Sequence, residues 1–580
     1  MSLEEKKIKH VTKDLKDNLL RSGAFSLAVL WQMLLPGYIL TLDMVFTPQI
    51  RNWFSQGVFL NSLPYRYLLS FLNLFLTGWI IQKILLIALF FSLFYLALKF
   101  FPVPKRHYAN YWAALFYSLN PFVYERFLAG HWPHLLAYAF LPVFFSYLLT
   151  FFREFSYKNL IRALFLVLLI GIFSLHFLVM AVLIMAAGFL FKLLVLGRAY
   201  LKTRDQAAGR EWLRAVKYAL VFGGLFIIFS SYWLVPYFIN KNESPLNVFD
   251  TTNQLAFKTA GETGAETIGN VLTLYGFWEE KQPWANYFIW PKDNPVLWSV
   301  ALGLLTVIIL IGLCYALKNR RKQALCFLAV GTVAFILSCG LGQGPFKGFN
   351  AWLFDNIGFW RGFRDTQKFS GMIALVYAYF GGLGFWAIGE RIYRKWPKFY
   401  QPAVWFMFII PVLYTYTMIG GFSRQLQPVW YPQPWYEAKR ILDQDNGDYK
   451  VLFLPWHQYL SLDFNRNIIS ANPAKNFFGP KIIQGDNMEV GGVFSQSQDL
   501  ENKAIQDIIL DEKLAPNEAV DKLKLKKVKY IMVMNKIIMA DNLKYLILAS
   551  NQLEIIFSDD ALTLYQVKWY NYSQVDLRID

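Results

Sequence analysis

The chain is short of charge and of cysteine. Charged residues make up 17% of it, against ~25% in an average soluble domain. Cys314, Cys326 and Cys339 are its three cysteines. All lie in or beside apolar segments, an odd set that describes neither a disulfide framework nor a zinc site. No internal repeat or low-complexity tract stands out. The first 23 residues are charged and lack the apolar core and small-residue cleavage site of a secretory signal. They read as a cytoplasmic lead-in to a first span. Acidic groups are also few, 39 against 57 Lys and Arg, for a net charge of +18. That excess does not indicate nucleic acid. Residues 423–580 hold 18 basic and 20 acidic groups. The positive charge therefore belongs to the short loops of the preceding part, where it marks the cytoplasmic face of a membrane protein.

What the chain does have is apolar surface. Of its 580 residues 56% are hydrophobic and 18% aromatic, and mean hydropathy is +0.32. Several windows reach the ~20 apolar residues that cross a bilayer. The expected fold is mainly α, a polytopic bundle of about 11 spans with the N-terminus inside. The spans fall at roughly 24–42, 78–101, 108–124, 134–152, 160–196 (two helices parted near Ser174), 216–239, 296–317, 324–340, 370–389 and 403–421. Lys105, Arg106, Arg153, Lys158, the 198–217 cluster, Lys318 to Lys322 and Arg391 to Lys398 then all face inside. The expected domains are a cytoplasmic segment 1–23, a membrane domain 24–422 with outer loops 43–77, 240–295 and 341–369, and an extracytoplasmic α/β domain 423–580. Strands are expected at 451–455, 528–534 and 562–567, with helices at 438–444 and 503–510 between them. In the first outer loop Arg51 to Phe54 and Tyr65 to Leu68 mix aromatic and basic groups, as in helices lying in the membrane interface.

Four places carry candidate chemistry. Asp43 ends the first apolar segment, with nothing polar back to Gln32 except Thr41 and Tyr38. A carboxylate there can activate an acceptor hydroxyl, hold a metal over a phosphate leaving group, or simply solvate a helix end. Glu125, Arg126, His131 and His134 put four ionisable groups within ten residues between two apolar helices. Pro133 argues against a regular helix through the two histidines. His176 sits at the turn of the 160–196 hairpin, where a structural role competes with a functional one. Arg361, Arg364 and Lys368 place three cations on the side that positive-inside statistics leave poor in them. Cations there suit a phosphate, with Arg364 and Lys368 on one face if 364–368 is helical. Pairing with Asp365 is the alternative. In the C-terminal region Trp456 and His457 follow a strand and can stack on a sugar, and Asp486 lies further on. That region has no nucleophile triad, glycine-rich phosphate loop or metal spacing, and reads as binding or structural.

An acid at the exit of the first span, a helical outer loop, many spans and a C-terminal domain outside resemble the GT-C superfamily of lipid-phosphosugar-dependent glycosyltransferases. The segments from Tyr124 to Trp132 and from Phe363 to Phe369 are similar, more narrowly, to those of YfhO-type bacterial and archaeal membrane proteins. The resemblance implies that Asp43 matches the essential acid of the first outer loop and Glu125 the second acid of some members. It implies a polyprenyl-phosphate sugar as donor and a glycan, polymer or protein acceptor outside the cytoplasmic membrane. No Asp-x-Asp occurs in either early outer loop, so metal dependence stays open, with a divalent cation such as Mg or Mn as the cofactor to test. On this reading Asp43, Glu125 and His131 are the catalytic residues, with Asp43 as base toward the acceptor, while Arg126, Arg361, Arg364, Lys368 and His176 bind substrate or its phosphate. Membrane lipids are partners and nucleic acid is not. A flippase for lipid-linked saccharides and an envelope-assembly scaffold are the alternatives. The first would need more charge at mid-membrane depth than the sequence shows, where Lys83 lies close to an end.

Overall fold

The structure is a computed structural model that describes residues 3–50, 60–240, 254–282, 287–487, 489–490, 493–494, 497, 499–537 and 545–568. Arg51 to Phe54 lie outside them. The chain forms two compact units. One comprises Met1–Leu35, Phe54–Leu74 and Ile81–Leu426; the other comprises Pro36–Trp53, Phe75–Ile80 and Gln427–Asp580.

The first unit is helical. It contains α1 (Leu3–Leu30), α2 (Leu63–Leu72), α3 (Gly78–Phe100), α4 (Ala109–Ser118), α5 (Pro121–Leu128), α6 (Trp132–Ala139), α7 (Leu141–Arg153), α8 (Tyr157–Phe173), α9 (Leu175–Thr203) and α10 (Gln206–Ile239). Helices at Gly264–Leu272, Pro295–Asn319, Arg321–Cys339, Lys347–Asn356, Ser370–Lys395 and Tyr400–Tyr414 follow. Among the described residues seven segments are long and apolar enough to cross a membrane: Gly78–Phe100, Trp132–Arg153, Leu175–Thr203, Gln206–Ile239, Pro295–Asn319, Arg321–Cys339 and Thr366–Lys395. The protein is a multi-pass membrane protein.

The other four expected spans are shorter or broken, each for a local reason. Helix α1 starts at Leu3, so the charged stretch from residue 3 to 23 is itself helical. It gives way to a short 3-10 turn, Trp31–Leu34, before Pro36 and Gly37. Gly37 has φ +119°, and a Cβ there would lie 2.9 Å from the Val429 carbonyl oxygen. The 108–124 stretch is cut at Asn120-Pro121, because the residue before a proline is driven out of the α region. Asn120 is extended (φ −153°, ψ 161°) and its side chain caps α5 by accepting from the Val123 N–H. Helix α8 ends at Phe173 after 17 residues, and Ser174 caps α9 by accepting from the Phe177 N–H. The expected parting of the long hairpin thus falls at Ser174. The last stretch gives a helix of 15 residues, Tyr400–Tyr414, with glycines at positive φ (Gly420 +81°, Gly421 +96°) beyond it. At the centre of the unit Pro295–Asn319 and Ser370–Lys395 meet backbone to backbone. A Cβ on Gly312 would lie 1.7 Å from the Phe380 carbonyl oxygen, and one on Gly384 1.9 Å from that of Ile308.

The second unit is built on a five-stranded sheet. Its strands are numbered with the shorter ones: β1 (Lys450–Leu454), β2 (Tyr459–Ser461), β3 (Ile469–Ala471), β4 (Ile482–Ile483), β5 (Glu489–Val490), β6 (Val493–Phe494), β7 (Val528–Met534), β8 (Leu553–Ser558) and β9 (Leu562–Val567). The sheet order is β4-β1-β7-β9-β8, parallel from β4 to β7 and antiparallel from β7 to β8. Helices Leu500–Ile509 and Pro516–Leu525 contribute Ile505, Val520 and Leu523 to a core with Leu452, Leu454, Trp456 and Ile531. Residues 36–53 are part of this unit. Tyr38 and Val429 exchange backbone hydrogen bonds of 2.7 and 2.9 Å, and the Ala471 N–H donates to the Leu42 carbonyl at 2.9 Å.

Candidate functional site

The site is assembled from three segments of the helical unit. The first is the α5–α6 corner. Helix α5 carries Glu125 and Arg126 in its last turn, and Gly130 at φ +88° turns the chain. His131 precedes α6, and Pro133 lies in the first turn of that helix, where its missing N–H has no intrahelical duty. No regular helix therefore runs through both histidines, as expected: His131 stays outside as the cap, and His134 is helical and buried. The second segment is the Ser174 corner with His176 at the start of α9. The third is residues 358–369, which form two 3-10 turns, Gly358–Phe363 and Thr366–Phe369. Asp365 (φ −90°, ψ 83°) separates them, so Arg364 and Lys368 do not share one helical face. The condition on which they would share a face is not met.

These segments meet around one buried ion pair. Arg126 and Asp365 form a two-point salt bridge, Nη1 to Oδ2 and Nη2 to Oδ1, the latter at 2.9 Å. The side chains are 0% and 5% exposed. Nη2 also donates to Gln367 Oε1, and Gln367 Nε2 donates to Glu125 Oε2 at 3.3 Å. Arg126 Nη1 lies 3.2 Å from His131 Nδ1, which must accept, and the guanidinium stacks 4.2 Å from the centre of the Phe277 ring. Lys368 Nζ is 3.8 Å from Asp365 Oδ2 and 3.3 Å from His176 Nε2. His176 Nε2 is also 2.9 Å from the Gly362 carbonyl oxygen. One ring nitrogen cannot serve both: protonated it donates to Gly362, unprotonated it accepts from Lys368. His134 holds Ser174 Oγ at 2.9 Å and lies between the other two imidazoles, with ring centres 6.3 Å from His131 and 5.9 Å from His176. Arg364 stacks over Phe257 at 4.9 Å.

The two acids of the cluster are driven apart. Burial pushes the Glu125 carboxyl well above the usual carboxylate range, with the Glu280 charge adding to it. Arg126 and the backbone N–H groups of Gly276 and Phe277 oppose this without reversing it. Glu125 is thereby favoured as the neutral acid. Burial acts the same way on Asp365, but the Arg126 guanidinium and Lys368 ammonium beside it hold its carboxyl well below that range. The result is a dry floor of Glu125, Arg126, His134, Asp365 and Gln367 under a part-exposed rim of His131, His176, Arg361, Arg364 and Lys368.

Most of the residues singled out in the sequence thus come together: Glu125, Arg126, His131, His176 and Lys368 in the hydrogen-bonded cluster, Arg361 and Arg364 in the segment that brings Asp365 and Lys368 to it. Asp43 does not terminate a helix. It belongs to the second unit, where it is exposed beside the turn closed by Thr41 and Met44, and Tyr459 donates to it at 3.2 Å. Two residues at the centre of the cluster had no weight in the sequence reading. In sequence Asp365 stands out only as a partner for its own cationic neighbours, and Gln367 carries no signal. Their common partner, Arg126, is 239 and 241 positions away. Among the described residues no three of His, Cys, Asp and Glu come together as a metal site would need.

No protein-family model and no curated protein sequence matches the chain. Solved structures do. The mycobacterial arabinofuranosyltransferase AftD, studied by cryo-EM, aligns at TM-score 0.61 and 14% identity, covering 96% of this chain and 40% of AftD. Its R1389S mutant aligns equally, with 13% identity, 96% of this chain and 42% of that one. The archaeal oligosaccharyltransferase AglB from Archaeoglobus fulgidus, in complex with an inhibitory peptide and a dolichol-phosphate, gives TM-score 0.44, 12% identity, and coverage of 91% and 70%. This chain therefore spans two fifths of the length of AftD. What the chain shares with AftD at this identity is the fold alone.

Proposed function

We propose that the protein is a membrane glycosyltransferase that moves a sugar from a polyprenyl-phosphate donor to an acceptor outside the cytoplasmic membrane. The observation that carries this reading is the convergence of Glu125, Arg126, His131, His176 and Lys368 on a fold shared with an arabinofuranosyltransferase. In the reaction the bond from the anomeric carbon to the phosphate oxygen breaks, and its electron pair stays with the lipid phosphate. The acceptor oxygen bonds the same carbon and gives its proton to a base. Negative charge grows on the phosphate as the bond breaks, and fixed cations in a site with little water stabilise it most. Lys368 and Arg364, part-exposed at the rim, take that role in this reading. Arg126 is enclosed and committed to Asp365, so it holds the 358–369 segment in place rather than meeting substrate. Glu125, as a neutral acid, keeps Gln367 oriented toward Arg126. Asp43 is assigned the acceptor base on the family resemblance. The likeness to YfhO-type proteins, a cell-envelope acceptor and an extracytoplasmic C-terminal domain belong to the same proposal.

The test is sugar transfer by the purified full-length protein from a panel of polyprenyl-phosphate sugars. Lys368→Ala should lower turnover by about 10²–10³-fold, the usual effect of removing one preorganised charge from a transition state. Asp43→Asn should abolish transfer while leaving folding intact. An active Asp43→Asn protein removes that residue from the mechanism, and a wild type inert toward every donor overturns the reading.

A further inference from the structure

Helix α3 carries a cation on its protein-facing side. Lys83, Leu86, Phe90, Leu93 and Ala97 recur at helical spacing and are each more than nine-tenths buried, whereas Ile84 is 47% exposed on another face. Lys83 itself is 6% exposed. Phe90, one heptad further along the same stripe, packs edge-on against Phe127 of α5 with ring centres 5.2 Å apart, and also meets Phe422 and Phe25. The stripe that bears Lys83 therefore faces the helix that bears Glu125 and Arg126.

Its Nζ is buried without a hydrogen-bond partner among the described residues. The other cations of the unit differ: Arg126 has Asp365 and Gln367, Lys368 has His176 and Asp365, and Arg364 has an aromatic face. A lysine in a membrane helix costs up to about 2.5–3.5 kcal/mol at mid-depth and escapes the cost by reaching for headgroups or a counter-charge. On the buried stripe the first route is closed, and a leucine would pack there at no such cost. Lys83 is thus a buried amine for which the described residues supply no partner.

We infer that the partner of Lys83 is the phosphate of a lipid-linked ligand bound within the helical unit. The inference rests on the glycosyltransferase reading and assigns Lys83 to the donor phosphate of that same reaction. A compact ammonium suits a single phosphate better than a bidentate fork would. A polyprenyl-phosphate sugar carries one negative charge, and the polyprenyl phosphate released carries between one and two at neutral pH. Lys83 gains interaction as the bond to the sugar breaks.

The experiment uses the full-length protein in a non-ionic detergent, titrated with polyprenyl monophosphate, with uncharged polyprenol of the same length, and with phosphatidylglycerol as competitor. Wild type is compared with Lys83→Met and Lys83→Arg. The expected result is about tenfold weaker binding of the phosphate to Lys83→Met, unchanged binding of polyprenol, and retention of phosphate affinity in Lys83→Arg. Ligand-free Lys83→Met should unfold at the same or a higher temperature, because an unpaired buried charge has been removed. Equal phosphate binding by Lys83→Met overturns the inference and leaves the glycosyltransferase reading standing. A wild type that does not distinguish polyprenyl phosphate from polyprenol removes both. Displacement by phosphatidylglycerol at equal concentration assigns Lys83 to bulk lipid and overturns the donor assignment. Loss of both ligands together with a lower unfolding temperature makes Lys83 a packing residue.

Discussion

The stretches 34–48 and 120–134 present the same pattern in the sequence, an acid where an apolar segment ends, yet they fold into opposite environments. Asp43 is exposed in the second unit, with a tyrosine hydroxyl donating to it. Glu125 is wholly buried in the first, in contact with the Gln367 amide and beside an arginine that is committed elsewhere. An exposed carboxylate can be reached by an incoming hydroxyl. A buried one, favoured as the acid, serves as a fixed polar strut. Two residues that look interchangeable in sequence are thus suited to different work, and the difference comes from what surrounds them.

The largest effect should come from breaking the floor beneath Glu125. Arg126→Met leaves Asp365 buried with only the more distant Lys368 for company, and removing one member of a buried pair typically costs about 3–5 kcal/mol. Thermal unfolding of the purified variant should show a large loss, and Asp365→Asn a comparable one. If either variant is as stable as wild type, the salt bridge is not what holds the 358–369 segment against α5.

A smaller effect separates the two carboxyls directly. Glu125→Gln should be tolerated, because a neutral amide replaces a neutral acid, while Glu125→Ala should cost about 1–3 kcal/mol by leaving buried polar groups without partners. The pH dependence follows from the raised carboxyl. Its contribution is fully present below the ordinary glutamate value of 4.5 and declines as pH rises toward its own higher value, because only the unfolded chain ionises in that window. Asp365 has the opposite sign: its contribution is present above the ordinary value of 3.8 and is lost as the solution is acidified further. Unfolding measured from pH 4 to 8 should decline less steeply in Glu125→Gln than in wild type. Parallel curves would mean that Glu125 is ionised in the folded protein. The smallest effect belongs to the cap that starts α5: Asn120→Ala should cost about 1 kcal/mol through the lost bond to the Val123 N–H.

How much of this was legible in the sequence depends on how local each cause is. The parting of the long hairpin at Ser174, the strands at 528–534 and 562–567, and the helices around 438–444 and 503–510 follow from caps, proline and periodicity. Each spans a few residues. The cationic 361–368 segment and the His131 corner also stood out, because dense charge between apolar helices is rare. The pairing of Arg126 with Asp365 could not be read, since nothing local to either residue names the other. The place of Asp43 failed for the same reason, because it depends on Val429 and Ala471, far along the chain. Four expected spans are shortened or interrupted where an apolar run contains a stop, at Pro36-Gly37, Asn120-Pro121, Ser174 and the end of Tyr400–Tyr414. Hydropathy averages over such stops.

The bond between Tyr38 and Val429 also sets a schedule. Residues 36–53 leave the ribosome early, but the chain that pairs with them follows roughly 390 residues later. At about 5–20 residues per second that is a wait of some 20–80 s. Throughout it the backbone around Tyr38 has no native partner while helix after helix enters the membrane. Whatever shields this segment during synthesis, a lipid surface or a chaperone, must release it when Val429 appears. Translation speed and chaperone supply therefore become determinants of yield for a protein whose first and last parts fold together.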